Sequence, residues 1–148
     1  MRLLLQRVSR AEVRVHAAMV GRIEQGLVVF VGVGHADDEQ TVRRMADRCV
    51  DLRIFRDEAG KTNRSLAEVG GSVLAVSQFT LYADTRKGRR PSFLDAAPPE
   101  LGERLYGAFA AALEMRGVTV ARGVFGAEME VELVNDGPLT IWLDSAER

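Results

Sequence analysis

The stretch GLVVFVGV, residues 26–33, decides the fold. A strand with one face in water alternates apolar and polar residues, whereas residues 27–33 are apolar almost throughout and contain no charge. This run predicts a central strand that is covered on both faces. Three segments on its N-terminal side have strand patterns joined by short turns, so we expect antiparallel neighbours there: residues 3–8, 12–16 and 19–24.

Two segments after these strands have apolar residues at the spacing of an α-helix. The aspartates at residues 37–38 predict the start of a helix over residues 39–52. Its apolar stripe consists of Val42, Met45, Ala46, Cys49 and Leu52. The prolines at residues 98–99 predict the start of a second helix that ends near Gly117. The buried face of this second helix should contain Leu101, Leu105, Phe109, Ala112 and Leu113.

The rest of the chain predicts further strands, and they do not alternate regularly with helices. This order favours an α+β fold over a doubly wound sheet. We expect one domain over residues 1–148, with a curved, mostly antiparallel β-sheet or barrel and two main helices packed on one side. NDGP, residues 135–138, predicts a turn between two late strands. Strands are expected at residues 53–55, 73–81, 118–121, 129–133 and 139–143, and one helical turn at residues 65–71.

Composition narrows the classes of function. The net charge of −1 excludes a surface coated with positive charge for nucleic acid, but it allows a local basic patch. The single cysteine, Cys49, suits a reducing compartment and is expected to be a buried filler. His16 and His35 stand alone and are expected on the surface or in loops, so we expect no metal and no cofactor. The apolar run at the N-terminus is too short for a signal peptide or a membrane span, and we therefore expect a cytoplasmic protein.

The segment AVSQFTLYADTRKGRRPSF, residues 75–93, begins like a buried strand and ends in a basic loop. Its first part places hydroxyl side chains among apolar neighbours. In a regular strand Ser77 and Phe79 would share one face, and Gln78 and Thr80 the other. These polar groups either satisfy neighbouring backbone and face water, or form a catalytic site. A serine or threonine nucleophile normally needs a base. The predicted strand itself contains no histidine, aspartate or lysine.

Two glycine-containing segments are candidates for binding phosphate groups. RKGRR, residues 86–90, is either a solvated loop or a phosphate contact, because clusters of basic residues neutralise nucleic-acid phosphates well. GVGHAD, residues 32–37, lacks the third glycine and the Lys-Ser/Thr ending of phosphate-binding loops. Nucleotide binding of that type is therefore not expected.

Taken in order, several segments resemble the bacterial D-aminoacyl-tRNA deacylase family, formerly named for D-tyrosyl-tRNA. These segments are LLLQRV (3–8), GLVVFVGV (26–33), SQFTL (77–81), GRRPSF (88–93) and NDGP-x-T (135–140). The resemblance implies a homodimeric hydrolase, not associated with a membrane, that cleaves the ester joining a D-amino acid to the 3′ end of tRNA. The family usually has valine where this chain has Leu139.

The resemblance also implies a set of site residues. The catalytic segment of one subunit is Ser77, Gln78, Phe79 and Thr80. The other subunit contributes Gly137 and Pro138, joined in the family by a cis bond, while Phe125 and Met129 lie near the terminal adenosine. Contacts with tRNA phosphates are expected from Arg86, Lys87, Arg89 and Arg90. The family offers two mechanisms: Thr80 is the nucleophile, or the 2′-hydroxyl of the terminal ribose assists the attack. The lack of a base near Thr80 favours the second.

A rigid main-chain barrier at the Gly-Pro pair would explain selection by chirality. Such a barrier rejects every L side chain by shape, whatever its chemistry. It does not exclude glycine, so we expect some cleavage of glycyl-tRNA. Two other classes of function stay open: a nucleic-acid-binding dimer without catalysis, and a purely structural dimer.

Overall fold

The described part of the computed structural model, residues 1–147, has the predicted α+β fold. It contains eight strands, three α-helices and one 3-10 helix. In chain order they are β1 (Arg2–Val15), β2 (Ala18–Ile23), β3 (Gly26–Gly32), α1 (Glu39–Asp51), β4 (Phe55–Arg56), β5 (Thr62–Arg64), α2 (Leu66–Val69), β6 (Ser72–Ser77), the 3-10 helix (Phe79–Tyr82), α3 (Pro99–Met115), β7 (Val120–Arg122) and β8 (Glu130–Asp144).

The main sheet is mixed and curled. Its strand order is β2-β1-β3-β6-β7, and β8 pairs with β1. The pairs that β1 makes are antiparallel, whereas β3–β6 and β6–β7 are parallel. The two end strands, β2 and β7, lie close together: a β-carbon added at Gly21 would be 3.0 Å from the carbonyl oxygen of Arg122. The sheet is therefore nearly closed, as the sequence predicted.

Both faces of β3 are buried, which confirms it as the central strand. Leu27, Val29 and Val31 belong to the core that packs against α1 and α3. Val28 points to the opposite side and joins a second core inside the curl. Because a fully buried Leu or Val side chain contributes about 1.5–3 kcal/mol, the apolar run is strongly held in this position.

Both long helices begin and end close to the predicted residues. Asp38 caps α1, since its Oδ1 accepts a hydrogen bond from the Thr41 N–H at 2.8 Å, and this bond holds the pKa of Asp38 below its usual value. Gly117, with φ of +79°, follows the end of α3. Cys49 is fully buried, and burial raises the pKa of its thiol to about 12, so it is a filler as predicted. None of the helices in residues 1–147 combines the length and the apolar character needed to cross a bilayer.

Two long strands replace four predicted ones. β1 runs unbroken through residues 9–11, which contain neither glycine nor proline. β8 runs through NDGP, where a turn was predicted. Val8 pairs with Asn135 and Gln6 pairs with Thr140, so residues 136–139 bulge out of β8 opposite a single residue of β1. We call residues 136–139 the Gly-Pro bulge.

The strand predicted over residues 73–81 is wrong at its end. β6 stops at Ser77, and the chain then forms the 3-10 helix. Gln78, with φ of −145° and ψ of 80°, makes the change of direction. The turn packs closely on the end of β3, since a β-carbon at Gly32 would lie 3.1 Å from the Gln78 carbonyl oxygen. Tertiary contact thus overrides the local strand preference of residues 79–81.

Candidate active site

A cleft of about 770 Å³ lies between the end of β3, the 3-10 helix and the start of α3. This volume is within the range of sites that hold small molecules. Its walls are largely apolar. Five of the predicted site residues line it together, although they come from distant parts of the sequence: Ser77, Gln78, Phe79, Phe125 and Met129.

Two glycines make room for the far wall of the cleft. A β-carbon at Gly102 of α3 would lie 3.4 Å from Cζ of Phe125. A β-carbon at Gly123 would lie 2.7 Å from Sδ of Met129. Alanine would fit at Gly102 in ordinary contact with the Phe125 ring, whereas at Gly123 the Met129 side chain would have to shift. Both side chains line the cleft.

The first N–H groups of the 3-10 helix have no acceptor within residues 1–147. The first hydrogen bond of this helix runs from the Leu81 N–H to the Gln78 carbonyl oxygen at 3.2 Å. The N–H groups of Phe79 and Thr80 precede it, and a helix provides no acceptor for its first donors. Two adjacent donors on one turn are suited to bind an oxyanion, as in the hydrolysis of an ester.

Thr80 has no base beside it. Its Oγ1 accepts a hydrogen bond from Nε2 of Gln78. No carboxylate, imidazole or amine among residues 1–147 makes a hydrogen bond with this hydroxyl. Thr80 is also absent from the residues that line the cleft. The arrangement gives no activation to a threonine nucleophile.

Aromatic rings form the rim of the cleft. Phe79 is 55% exposed, and its ring meets that of Phe93 edge to face at 5.0 Å. Beside them, Nε2 of His35 lies 2.8 Å from the carbonyl oxygen of Leu94. Both histidines are exposed, as predicted, but His35 also lines the cleft. An isolated histidine has no pattern that identifies such a position from sequence.

The Gly-Pro bulge is held from inside the sheet. The bond between Gly137 and Pro138 is cis, as the resemblance implied. Nδ2 of Asn135 donates to the carbonyl oxygens of Arg7, at 2.9 Å, and Leu139, at 3.0 Å. The amide of one side chain thereby joins both ends of the bulge to β1. Gly137 and Pro138 themselves are exposed.

Arg7 lies behind the bulge and is only 4% exposed. Its Nε donates to the Asp136 carbonyl oxygen at 3.1 Å, and its Nη1 donates to the Ile54 carbonyl oxygen at 2.6 Å. The Asp136 carboxylate lies 3.3 Å from Arg7 Nε and 3.2 Å from Nη1 of Arg56. No prediction from the sequence included these three side chains. Only Arg7 could have been noticed from the sequence, because it places a charge on the face of β1 where Leu3 and Leu5 are buried.

One chain does not bring the two halves of the predicted site together. Arg2 of β1 contacts the 3-10 helix, with its Nη1 3.0 Å from the Leu81 carbonyl oxygen. Arg7, five residues further along the same strand, contacts the bulge, and five strand residues span about 17 Å. Gly137 and Pro138 do not line the cleft.

The basic loop divides into two kinds of residue. Arg86 donates to Asp84 through its backbone N–H, Nε and Nη2 at 2.7–3.0 Å, and these bonds lower the pKa of Asp84 to about 2. Lys87, Arg89 and Arg90 are exposed, and no ion pair involves them within the described residues. Three of the four predicted phosphate contacts therefore point to solvent without a protein partner. In residues 1–147 no three His, Cys, Asp or Glu side chains gather as a metal site would need.

Comparison with known proteins decides the family. Residues 4–144 match the model of the family described as D-Tyr-tRNA(Tyr) deacylase. The chain belongs to this deacylase family. A D-aminoacyl-tRNA deacylase of Thermomicrobium roseum is 61% identical over 147 residues, which cover 99% of this chain and 96% of the relative. Its counterpart in Paracoccus denitrificans is 57% identical over 148 residues, covering 100% and 99%.

Two solved structures share the fold of this chain. The c-Myc DNA Unwinding Element Binding Protein superposes with a TM-score of 0.92 at 37% identity, over 97% of this chain and 98% of that one. A probable eukaryotic D-amino acid tRNA deacylase shares the fold, with a TM-score of 0.84 at 20% identity over 96% and 97%. As a D-aminoacyl-tRNA deacylase, the chain is a hydrolase of the aminoacyl-tRNA ester bond, and its substrate contains tRNA.

Proposed function

We propose that this deacylase hydrolyses D-aminoacyl-tRNA in the cytoplasm at a site shared by two identical subunits. The cleft of one subunit holds the terminal adenosine and the ester, and the Gly-Pro bulge of the other faces the amino acid. The observation that carries the proposal is the convergence of Ser77, Gln78 and Phe79 with Phe125 and Met129 in one cleft. The N–H groups of Phe79 and Thr80 receive the developing negative charge, and the substrate 2′-hydroxyl assists the attack.

A second copy of the chain is needed to complete this site. Arg2, which contacts the 3-10 helix, and Arg7, which contacts the bulge, are about 17 Å apart along β1 of one subunit, and the tip of the bulge is exposed. β8 pairs only with β1 in the described residues, so one edge of this long strand is open to another chain. Val134 and Trp142 on β8 are 41% and 42% exposed. These features support a homodimer in which each bulge reaches the cleft of its partner.

Complementation between two inactive variants tests the shared site. Phe79→Pro removes one N–H donor; proline is tolerated at the first position of a helix, and Gln78 before it, with φ of −145° and ψ of 80°, lies outside the α region that a following proline disfavours. Gly137→Ala disturbs the bulge. Each variant alone should hydrolyse D-tyrosyl-tRNA poorly. Co-refolded in equal amounts, they should regain about a quarter of the wild-type rate, because half of the dimers are mixed and each has one intact site.

The control for the proline variant is Phe79→Ala, which loses the ring and keeps the N–H. It should retain more activity than Phe79→Pro, and sedimentation should show dimers for all variants. A mixture no more active than the mean of its two components would contradict the shared site. Monomers in sedimentation equilibrium would contradict it as well.

Selection by chirality follows from the stiffness of the bulge. An L and a D residue differ by exchanging side chain and hydrogen about Cα. Hydrogen bonds of Asn135, Arg7 and Asp136 hold the main chain at Gly137, so it does not move to make room for an L side chain. A shape barrier of this kind accepts any D side chain and also glycine. Glycyl-tRNA is therefore a further substrate.

The basic loop should contact tRNA phosphates near the acceptor end. Replacing Lys87, Arg89 and Arg90 by serine together should raise KM and leave kcat unchanged. The slope of log affinity against log salt should fall by about 2 to 3, as expected for three lost phosphate contacts. The matched control replaces three other exposed arginines, Arg22, Arg43 and Arg48. An equal effect of both triple variants would show that only net charge matters.

A second candidate function is suggested by one structural relative, whose name describes binding to a DNA unwinding element. On that view the chain binds nucleic acid through the basic loop without using the cleft. The same triple variant would then abolish binding of single-stranded DNA, while Phe79→Pro would leave it intact. Tight DNA binding by a protein that does not hydrolyse D-tyrosyl-tRNA would favour this function over the deacylase site.

A further inference from the structure

The side chain of Arg2 holds one end of the 3-10 helix. Its Nη1 donates to the Leu81 carbonyl oxygen at 3.0 Å, and its Nε donates to Oδ2 of Asp144 at 2.9 Å. The guanidinium carbon lies 4.4 Å from the centre of the Tyr82 ring and 5.6 Å from that of Trp142. A single guanidinium thus joins the helix to the ends of β1 and β8.

Tyr82 holds the same end from the other side. Its hydroxyl donates to Oδ2 of Asp37 at 3.4 Å. Its ring packs against the chain just after β3: a β-carbon added at Gly34 would be 2.8 Å from Cζ of Tyr82. Burial, together with the nearby Asp37 and Asp144 carboxylates, raises the pKa of Tyr82, so its hydroxyl stays protonated and remains a donor. The last residue of the helix is therefore fixed between Arg2 and the loop after β3.

We propose that Arg2 and Tyr82 are positioning residues for the hydrolysis: they set the orientation of the 3-10 helix whose first N–H groups bind the oxyanion. This inference rests on the proposed role of residues 77–80. Neither side chain lines the cleft, so both act through the helix. Oxyanion donors work only when they lie about 2.7–3.1 Å from the developing charge. The start of the four-residue helix packs on the end of β3, and Arg2 and Tyr82 hold its other end.

Arginine is needed here because three contacts are made at once. Its planar group donates in two directions and stacks on a ring at the same time. Lysine keeps the charge but does not reproduce the pair of bonds to Leu81 and Asp144. The alternative role for Arg2 is attraction of tRNA phosphates, and lysine would serve that role nearly as well. Arg2→Lys therefore separates positioning from phosphate binding.

The test compares Arg2→Lys with Arg10→Lys. Arg10 is a matched control, since it also lies on β1 and pairs with a carboxylate of β8, Glu132, at 3.1 Å, without contacting the 3-10 helix. In Arg2→Lys the single-turnover rate on D-tyrosyl-tRNA should fall about 10-fold to 100-fold, with KM changed less than about twofold. Arg10→Lys should match the wild type in both. Tyr82→Leu, a second variant, should lose rate in the same way as Arg2→Lys.

Fluorescence gives a readout that does not depend on activity. Trp142 is the one tryptophan of the chain, and the Arg2 guanidinium lies against its ring. Its emission maximum and its quenching by acrylamide should change in Arg2→Lys and stay the same in Arg10→Lys. Sedimentation checks that each variant is assembled as the wild type is.

Three outcomes separate the possibilities. If Phe79→Pro loses activity while folded Arg2→Lys and Tyr82→Leu keep the wild-type rate, the positioning role is overturned and the proposed site stands. If Phe79→Pro also keeps its rate, the proposed site fails, and the positioning role fails with it. If Arg2→Lys raises KM at unchanged kcat, Arg2 is an RNA contact and not a positioning residue.

Discussion

Replacing Gly137 by alanine should lower kcat/KM for D-tyrosyl-tRNA by about 100-fold, the loss typical of a misplaced reacting group. The added β-carbon would collide with Nη2 of Arg7, and the φ of +120° at Gly137 is one that L side chains rarely adopt. Arg7 does not move aside easily, because it is buried and donates to the carbonyl oxygens of Ile54 and Asp136. The bulge must therefore shift, and the barrier at the amino acid shifts with it.

The control for Gly137→Ala is Gly117→Ala. Gly117 also has a positive φ, +79°, but an added β-carbon would meet nothing within 4 Å. Gly117→Ala should lose about 1 kcal/mol of stability from backbone strain, measured by urea unfolding, and Gly137→Ala should lose more, because its β-carbon also collides with Arg7. Only Gly137→Ala should lose activity in single-turnover assays. Wild-type activity in Gly137→Ala would show that the position of the bulge does not matter for hydrolysis.

A substrate that ends in 2′-deoxyadenosine should react at least about 100-fold more slowly than the natural ribose substrate, since general acid–base assistance contributes about 10²–10⁴-fold. Thr80→Ala, in contrast, should keep its rate within about tenfold. The reason is the setting of Thr80, whose hydroxyl accepts from Gln78 and has no base among the described residues. Single-turnover rates for both enzymes on both substrates measure the two effects in one experiment.

The opposite pattern would restore the covalent mechanism. A folded, dimeric Thr80→Ala protein without activity, together with a 2′-deoxy substrate that reacts normally, would make Thr80 the nucleophile. An acyl-enzyme trapped by rapid quench and found on the Thr80 peptide by mass spectrometry would support the same conclusion. Circular dichroism and sedimentation exclude simple unfolding of the variant.

Local pattern was sufficient for most of the fold. The apolar run of residues 27–33 identified the central strand because both of its faces are buried. The helices were predictable from their apolar stripes and from the Asp38 cap, which are properties of neighbouring residues. The segment of residues 77–80, with Phe125 and Met129, came from the resemblance to the family. In the structure residues 77–79 and these two side chains line one cleft.

The errors fall where distant contacts decide the backbone. Residues 79–81 have the composition of a strand, yet they form a 3-10 helix, because Gly32 at the end of β3 leaves room for Leu81 and Arg2 bonds to the Leu81 carbonyl oxygen. The sequence NDGP has the composition of a turn, yet β8 continues through it, because β1 pairs with the residues on both sides. Neither partner is near in sequence. Local propensity therefore could not predict the backbone conformation of either segment.

Arg7 shows what the pattern of a single strand leaves out. Its position in LLLQRV alternates with Leu3 and Leu5, which predicts an inward side chain. A buried arginine needs several acceptors. Those acceptors come from Ile54 and Asp136, more than forty residues away in both cases. The sequence marks such a residue as unusual, but only the fold names its partners and its place behind the bulge.

Hydrolysis of D-tyrosyl-tRNA, L-tyrosyl-tRNA and glycyl-tRNA by the purified protein tests the main-chain barrier most directly. We predict rapid loss of the D-ester, clear cleavage of the glycyl ester, and a rate on the L-ester lower by about 1000-fold or more, since a steric clash with a held backbone costs several kcal/mol. Other D-aminoacyl-tRNAs should react within about tenfold of one another, because the barrier does not depend on the D side chain. Cleavage of the L-ester at a comparable rate, or a glycyl ester left intact, would contradict the account.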